Sequence, residues 1–247
     1  MTKKRAKTNH FHQPDFNKDT SIIRQNPIAD IEMSQGATDC DYLPIANNGI
    51  AILCEKTDNS MFFGIYDQDN NRLFDYHFSN KAATLYNPVL KLMHGNKVGI
   101  FYSEATASQI IVKFARINLN NLELLPETSL FTVNHIDSNP NPKFMVEALP
   151  NGGFVIAVTN RLGKISFIEC GPNLAQLDKI NTKIDFTNNL QLVATTNGVS
   201  FFYPSNQAIR QGYLTRSTTT DPLILSSKQT IAINDPNHEI TSFQTVK

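Results

Sequence analysis

Tryptophan is absent from the 247 residues, and cysteine occurs only three times, at Cys40, Cys54 and Cys170, with no CxxC spacing. An odd count leaves at least one thiol over in any disulfide scheme. Cys54 ends an apolar run that begins at Ile50, where a free cysteine behaves as a small hydrophobe. That placement favours a reducing compartment. An excess of charge of either sign is also missing, with 22 basic and 22 acidic residues. A nucleic-acid binder shows a basic bias or stripe, so no nucleic acid is expected as a partner. The one dense basic run, Lys3, Lys4, Arg5 and Lys7, reads as a solvated tail. No apolar segment of the kind that marks a secretory leader follows it. No stretch approaches the roughly 18 apolar residues of a membrane span. There is no Asn-x-Ser/Thr acceptor. A soluble cytoplasmic protein is the expectation.

Several kinds of chemistry lack their sequence marks. There is no Gly-x-Ser-x-Gly elbow, no Walker A loop and no Gly-x-Gly-x-x-Gly, and no cysteine sits in a recognisable catalytic context.

Asparagine, by contrast, is abundant at 27 residues, often paired at turn positions: Asn47-Asn48, Asn70-Asn71, Asn120-Asn121 and Asn188-Asn189. Asn tolerates the left-handed backbone region and caps turns with its side chain. Residues 1–20 are polar and aperiodic and read as a disordered basic lead-in. From Asp41 onward short β-prone runs alternate with Gly, Asn, Asp and Pro clusters, and no window holds a helical period over three turns.

Four segments repeat one pattern of strand, tight Asn/Gly turn and strand. Tyr42–Ala46 leads through Asn47-Asn48-Gly49 into Ile50–Cys54, and Val89–Met93 through His94-Gly95-Asn96 into Val98–Tyr102. Phe144–Leu149 leads through Asn151-Gly152-Gly153 into Phe154–Val158, and Leu190–Ala194 through Asn197-Gly198 into Val199–Tyr203. The second strands start at intervals of 48, 56 and 45 residues. A third strand follows at Met61–Asp67, Ile110–Asn118, Lys164–Cys170 and Ile209–Arg216, and fourth strands start near Leu73, Leu122, Leu177 and Leu223. The unit, over about residues 40–233, resembles the generic blade of β-propeller repeat proteins. Propeller blades run about 40–50 residues. The Trp-Asp signature of one such family is missing, and a double glycine occurs once, at Gly152-Gly153, which does not support the kelch pattern.

The expected fold is therefore all-β, a β-propeller or partial propeller of about four four-stranded blades, with a β-sandwich as the alternative. Residues 21–247 form one repeat domain, with repeats near 41–86, 87–138, 139–187 and 188–234. Ile22–Ile31 reads as a lone outer strand, and Ile240–Val246 resembles the first strand of a fifth copy. These pieces either complete a blade between them or belong to a longer propeller, the second reading being favoured because they do not amount to a full blade.

Candidate sites each meet a plainer explanation. Asp67-x-Asp69-x-Asn71 has the spacing that opens a calcium loop, yet Arg72 and Phe78 stand where Gly and Glu are required. Ordinary turn chemistry accounts for it. His10 and His12 lie in the lead-in, and His77, His94, His135 and His238 sit near turns or strand ends. Asp39, Asp41, Asp67, Asp137, Asp178 and Asp185 are the acids that could gather around a channel. The aromatics Phe62-Phe63, Tyr66, Phe101-Tyr102 and Phe201-Phe202-Tyr203 are explained by burial between blades. No catalytic, cofactor-binding or metal-binding residue is assigned and no cofactor is expected. A non-catalytic module that binds another protein through loops on a rigid scaffold is the leading functional expectation. A carbohydrate-active hydrolase or lyase using acids at a central channel is the alternative. Gly153→Val is expected to destabilise the third hairpin.

Overall fold

The continuous apolar runs of the sequence become strands with both faces covered. The computed structural model describes residues 36–134, 144–159, 162–185, 190–204, 208–215 and 224–232. They form four four-stranded antiparallel sheets, each a meander in chain order, arranged as a four-bladed β-propeller. The first sheet is β1 (Ala37–Pro44), β2 (Ile50–Lys56), β3 (Met61–Tyr66) and β4 (Arg72–Phe78). The second is β5 (Thr84–Met93), β6 (Lys97–Ala105), β7 (Gln109–Asn118) and β8 (Glu123–Asn134). The third is β9 (Phe144–Ala148), β10 (Phe154–Thr159), β11 (Lys164–Cys170) and β12 (Gln176–Asp185). The fourth is β13 (Gln191–Thr195), β14 (Gly198–Pro204), β15 (Ala208–Thr215) and β16 (Ile224–Ala232). A sandwich would have two sheets, so the alternative expectation is set aside. The lead-in, Ile22–Ile31 and Ile240–Val246 lie outside the described residues.

Alternation of side chains across a strand divides each middle strand between two neighbours. On β10, Phe154, Ile156 and Val158 enter the core shared with the second sheet, while Val155 and Ala157 enter the core shared with the fourth. A third core joins the first two sheets through Leu53, Phe63, Ile65, Val98, Ile100 and Tyr102. Among the described residues, no such core joins the fourth sheet to the first. The aromatic pairs of the sequence are thus largely consumed by packing. Phe101, Phe114 and Phe154 meet with ring centroids 4.8–5.3 Å apart. Each such pair is worth about 0.5–1.5 kcal/mol beyond its burial.

The first strands lie innermost and in sequence: β5 packs against β1, β2 and β3, β9 against β5, and β13 against β9. The outer strands β4 and β12 are largely exposed. Pairing between second and third strands runs unbroken in all four sheets, whereas every pairing of a third with a fourth strand carries a register shift.

The hairpin turns use the left-handed backbone expected of Asn and Gly, at Asn47, Asn48, Gly95, Asn96 and Gly152. Gly153 is required for a different reason. It does not itself adopt a positive φ; a Cβ there would lie 2.4 Å from the Cys170 carbonyl oxygen. The turn between first and second strands lies directly on the end of the third strand.

Candidate functional site

The innermost strands carry charge where their neighbours are apolar. Asp41 sits on β1 and faces the second sheet. Its Oδ2 accepts a hydrogen bond from the Leu90 backbone N–H on β5 at 2.7 Å, and its Oδ1 accepts from Tyr42 N–H at 3.0 Å. Burial raises the Asp41 carboxyl above its ordinary range, and the N–H groups of Leu90 and Tyr42 and the charge of Lys91 pull it partly back. Glu147, 3% exposed on β9, repeats the arrangement between the third and fourth sheets. Its Oε1 accepts from Ala194 N–H on β13 at 3.0 Å, and its Oε2 lies 3.4 Å from Lys91 Nζ on β5. An innermost strand has one edge without a β partner, so its N–H groups need acceptors from elsewhere. Asp41 and Glu147 supply them to the next sheet.

The other acids expected at a channel are dispersed. Asp39 shares β1 with Asp41, but Asp178 and Asp185 lie on the outer strand β12, and Asp185 pairs with Lys164. Asp67 serves its own turn: Oδ1 accepts from Asp69 N–H (2.9 Å) and Asn71 N–H (2.8 Å), and Oδ2 from Asn71 Nδ2 (3.0 Å). These bonds, that from the Asn71 side chain foremost, hold the Asp67 carboxyl below its ordinary value. His77 on β4 meets Phe62 edge-on at 4.9 Å, and His94 lies in the β5–β6 turn beside Gly152. The structure does not bring these groups together. Asp137, His10, His12, His135 and His238 fall outside the described residues. Among the described residues no group of three or more His, Cys, Asp or Glu is placed to hold a metal ion.

The reading of Cys54 as a free buried thiol is corrected. Cys54 and Cys40 face each other across the β1–β2 ladder, with Cα atoms 4.2 Å apart, and are joined in a disulfide. The strand pairing itself brings the two sulfurs within bonding reach. Cys170 is the free cysteine; burial, and secondarily the charge of Glu169, push its thiol up to about 11.

Sequence reasoning missed Lys91 and Glu147. The available signal was a single charge inside an apolar run, Val-Leu-Lys-Leu-Met and Phe-Met-Val-Glu-Ala, at the same place in two repeats.

A groove of about 280 Å³ opens where the hairpin turns of the first two sheets meet. Ile45, Leu73, Leu119 and Leu122 give it an aliphatic lining, and Asn47, Asn96 and Asn120 add amides. Asn96 Nδ2 donates to Asn120 Oδ1 at 2.7 Å, and Leu119 N–H donates to the Asn96 carbonyl at 3.0 Å, tying the β5–β6 turn to the β7–β8 turn. Part of this groove is built from loops between first and second strands.

No family model matches the chain, and no curated protein sequence does. Solved structures do resemble it. It is similar to an ulvan lyase of polysaccharide lyase family PL25, with a TM-score of 0.51 and 8% identity, over 78% of this chain and 55% of that one. It is similar to the polysaccharide lyase Uly1, with a TM-score of 0.47 and 9% identity, over 79% of this chain and 50% of that one. A third is the β-propeller domain of Vanderwaltozyma polyspora Nup133, with a TM-score of 0.38 and 9% identity, over 66% of this chain and 51% of that one. The chain spans about half the length of each. At such identity the likeness extends to the fold, and function must be argued from side chains.

Proposed function

We propose that this chain is a non-catalytic interaction module, one repeat domain whose hairpin turns bind another protein. The observation that carries this reading is how its inner carboxylates are used. Asp41 and Glu147 accept backbone N–H groups of the following sheet, and Asp67 accepts those of its own turn. A glycosidase needs two carboxyls at a set separation around a substrate, and a carboxylate already occupied by the main chain is poorly suited to move a proton. The competing reading is a carbohydrate-active hydrolase or lyase using acids at a central channel, and one structure of similar fold is an ulvan lyase. The Cys40–Cys54 bond supports an oxidising compartment over the cytoplasmic one expected from the sequence.

The two functional readings separate in one assay. The purified chain is incubated with a panel of uronate-containing polysaccharides, and ultraviolet absorbance of the unsaturated product is followed. No turnover is expected. Turnover that Glu147→Gln abolishes without unfolding the protein would overturn the interaction reading.

A further inference from the structure

The four innermost strands are anchored unequally. β5 buries Leu85, Leu90 and Met93, β9 buries Phe144 and Val146, and β13 buries Leu192. No residue of β1 is buried, and Tyr42, its largest side chain, is 56% exposed. Among the described residues β1 pairs with β2 alone, and that ladder is irregular at its start, with a register shift between Ala37 and Asp39. A strand with little burial and one hydrogen-bonded neighbour belongs to the parts of a fold that open at low cost. The Cys40–Cys54 bond follows directly after the shift and ties β1 to β2 covalently.

Neighbouring residues of a strand point to opposite faces. Cys40 meets Cys54 on one face of the first sheet, while Asp41, opposite Leu53, faces the second sheet from the other. The covalent tie is thus one residue away from the carboxylate that accepts the Leu90 N–H. The matching contact between the third and fourth sheets, Glu147 to Ala194, stands on a strand held by buried Phe144 and Val146 and has no disulfide. The two bonded sulfurs also differ in access, since Cys40 is partly exposed and Cys54 is fully buried.

We propose that the Cys40–Cys54 bond is a redox latch on β1: a dithiol reductant opens it in the folded chain, β1 loosens from β2, and Asp41 releases Leu90 while Glu147 keeps Ala194. A thiolate of the reductant attacks the Cys40 sulfur, the bond between the two cysteines breaks, and Cys54 leaves with the electron pair and takes up a proton. The second thiol of the reductant then attacks its own sulfur in the mixed disulfide, and Cys40 leaves as a thiol. The reductant ends as a disulfide, having passed two electrons and two protons to the chain.

The test is amide hydrogen exchange of the full chain, resolved by residue with NMR, well below the melting temperature and before and after dithiothreitol. Reduction is expected to speed exchange at Leu90 relative to Ala194 by roughly tenfold or more, a part of the constraint that a short-loop disulfide supplies. Cys40→Ser should reproduce that ratio with no reductant present. Asp41→Ala should raise it in the oxidised chain, and reduction should then add little. Equal acceleration at the two amides would mean a general loss of stability and would overturn the proposal. So would a bond that resists dithiothreitol until the chain unfolds, or an Asp41→Ala chain in which reduction still speeds Leu90 in full.

Discussion

Glu147 on β9 and Ala194 on β13 are joined across a sheet boundary, with the Glu147 Oε1 accepting the Ala194 backbone N–H at 3.0 Å. The other oxygen faces Lys91 on β5, so one buried side chain touches the innermost strands of three sheets. Removing it strands a main-chain donor, which costs about 1–3 kcal/mol. Glu147→Ala is therefore expected to lower the free energy of urea unfolding by that amount. Glu147→Gln keeps an acceptor for Ala194 and should cost less. Lys91→Met should cost least, because the lysine side chain is 35% exposed and its ion pair is weakened by solvent.

Asp41 gives a pH dependence whose sign can be stated. Burial raises its folded-state value above the ordinary 3.8. A raised acid contributes stability that is full below the unfolded value and is lost as pH rises through the folded one. Asp41→Asn removes that titration. Relative to the unaltered chain, the variant should therefore gain melting temperature between acid and neutral pH. A constant difference across that range would show that Asp41 does not titrate with folding.

At Gly153 the sequence and the structure agree on the outcome and differ on the cause. An added methyl meets the Cys170 carbonyl oxygen at 2.4 Å, a fixed backbone atom, so even Gly153→Ala should destabilise the third sheet. Gly163 makes the contrast: its φ is +70° and nothing lies within 4 Å of an added Cβ. Gly163→Ala should cost only the left-handed backbone penalty, about 1–2 kcal/mol. Thermal melts of the two variants would rank them, with Gly153→Ala the less stable.

Thiol chemistry should distinguish the three cysteines. Reducing Cys40–Cys54, which closes a short loop, should cost about 3 kcal/mol and lower the melting temperature by roughly 6–12 °C. Cys170 is buried with a thiol pushed up to about 11, so it should resist iodoacetamide at pH 8 until the chain is unfolded. Mass spectrometry of alkylated peptides reads both.

What could be read from sequence is what repeats locally. Strand and turn signals are short-range, so β11 falls on the predicted Lys164–Cys170 and β3 on Met61–Tyr66, one residue short of expectation. Strand starts are harder to place: β1 begins at Ala37, ahead of its apolar core because the added residues are mostly polar, and β5 begins at Thr84, where Asn87-Pro88 and a register shift separate buried Leu85 and Tyr86 from the run at Val89. The links between sheets were not visible at all. Asp41 meets Leu90 from 49 residues away, and Glu147 meets Ala194 from 47. Both pairings depend on which way each sheet faces its neighbour, and a single sequence does not record that. The Cys40–Cys54 bond is not legible from the predicted hairpin, because Cys40 lies ahead of the predicted Tyr42–Ala46 and only the longer β1 brings it opposite Cys54.

The register shifts of the sheets all avoid one place, the ladder between second and third strands. There, a slip of a single residue would exchange the side chains given to the two neighbouring cores, putting Phe154 where Val155 belongs and reversing the whole strand. At the third-to-fourth pairing the outer strand faces water, and an extra residue can bulge outward. Each blade thus keeps a fixed ruler at its middle and a tolerant hem at its rim, and changes of length in such a chain are channelled to the outside, where they alter the surface without disturbing how the blades recognise one another.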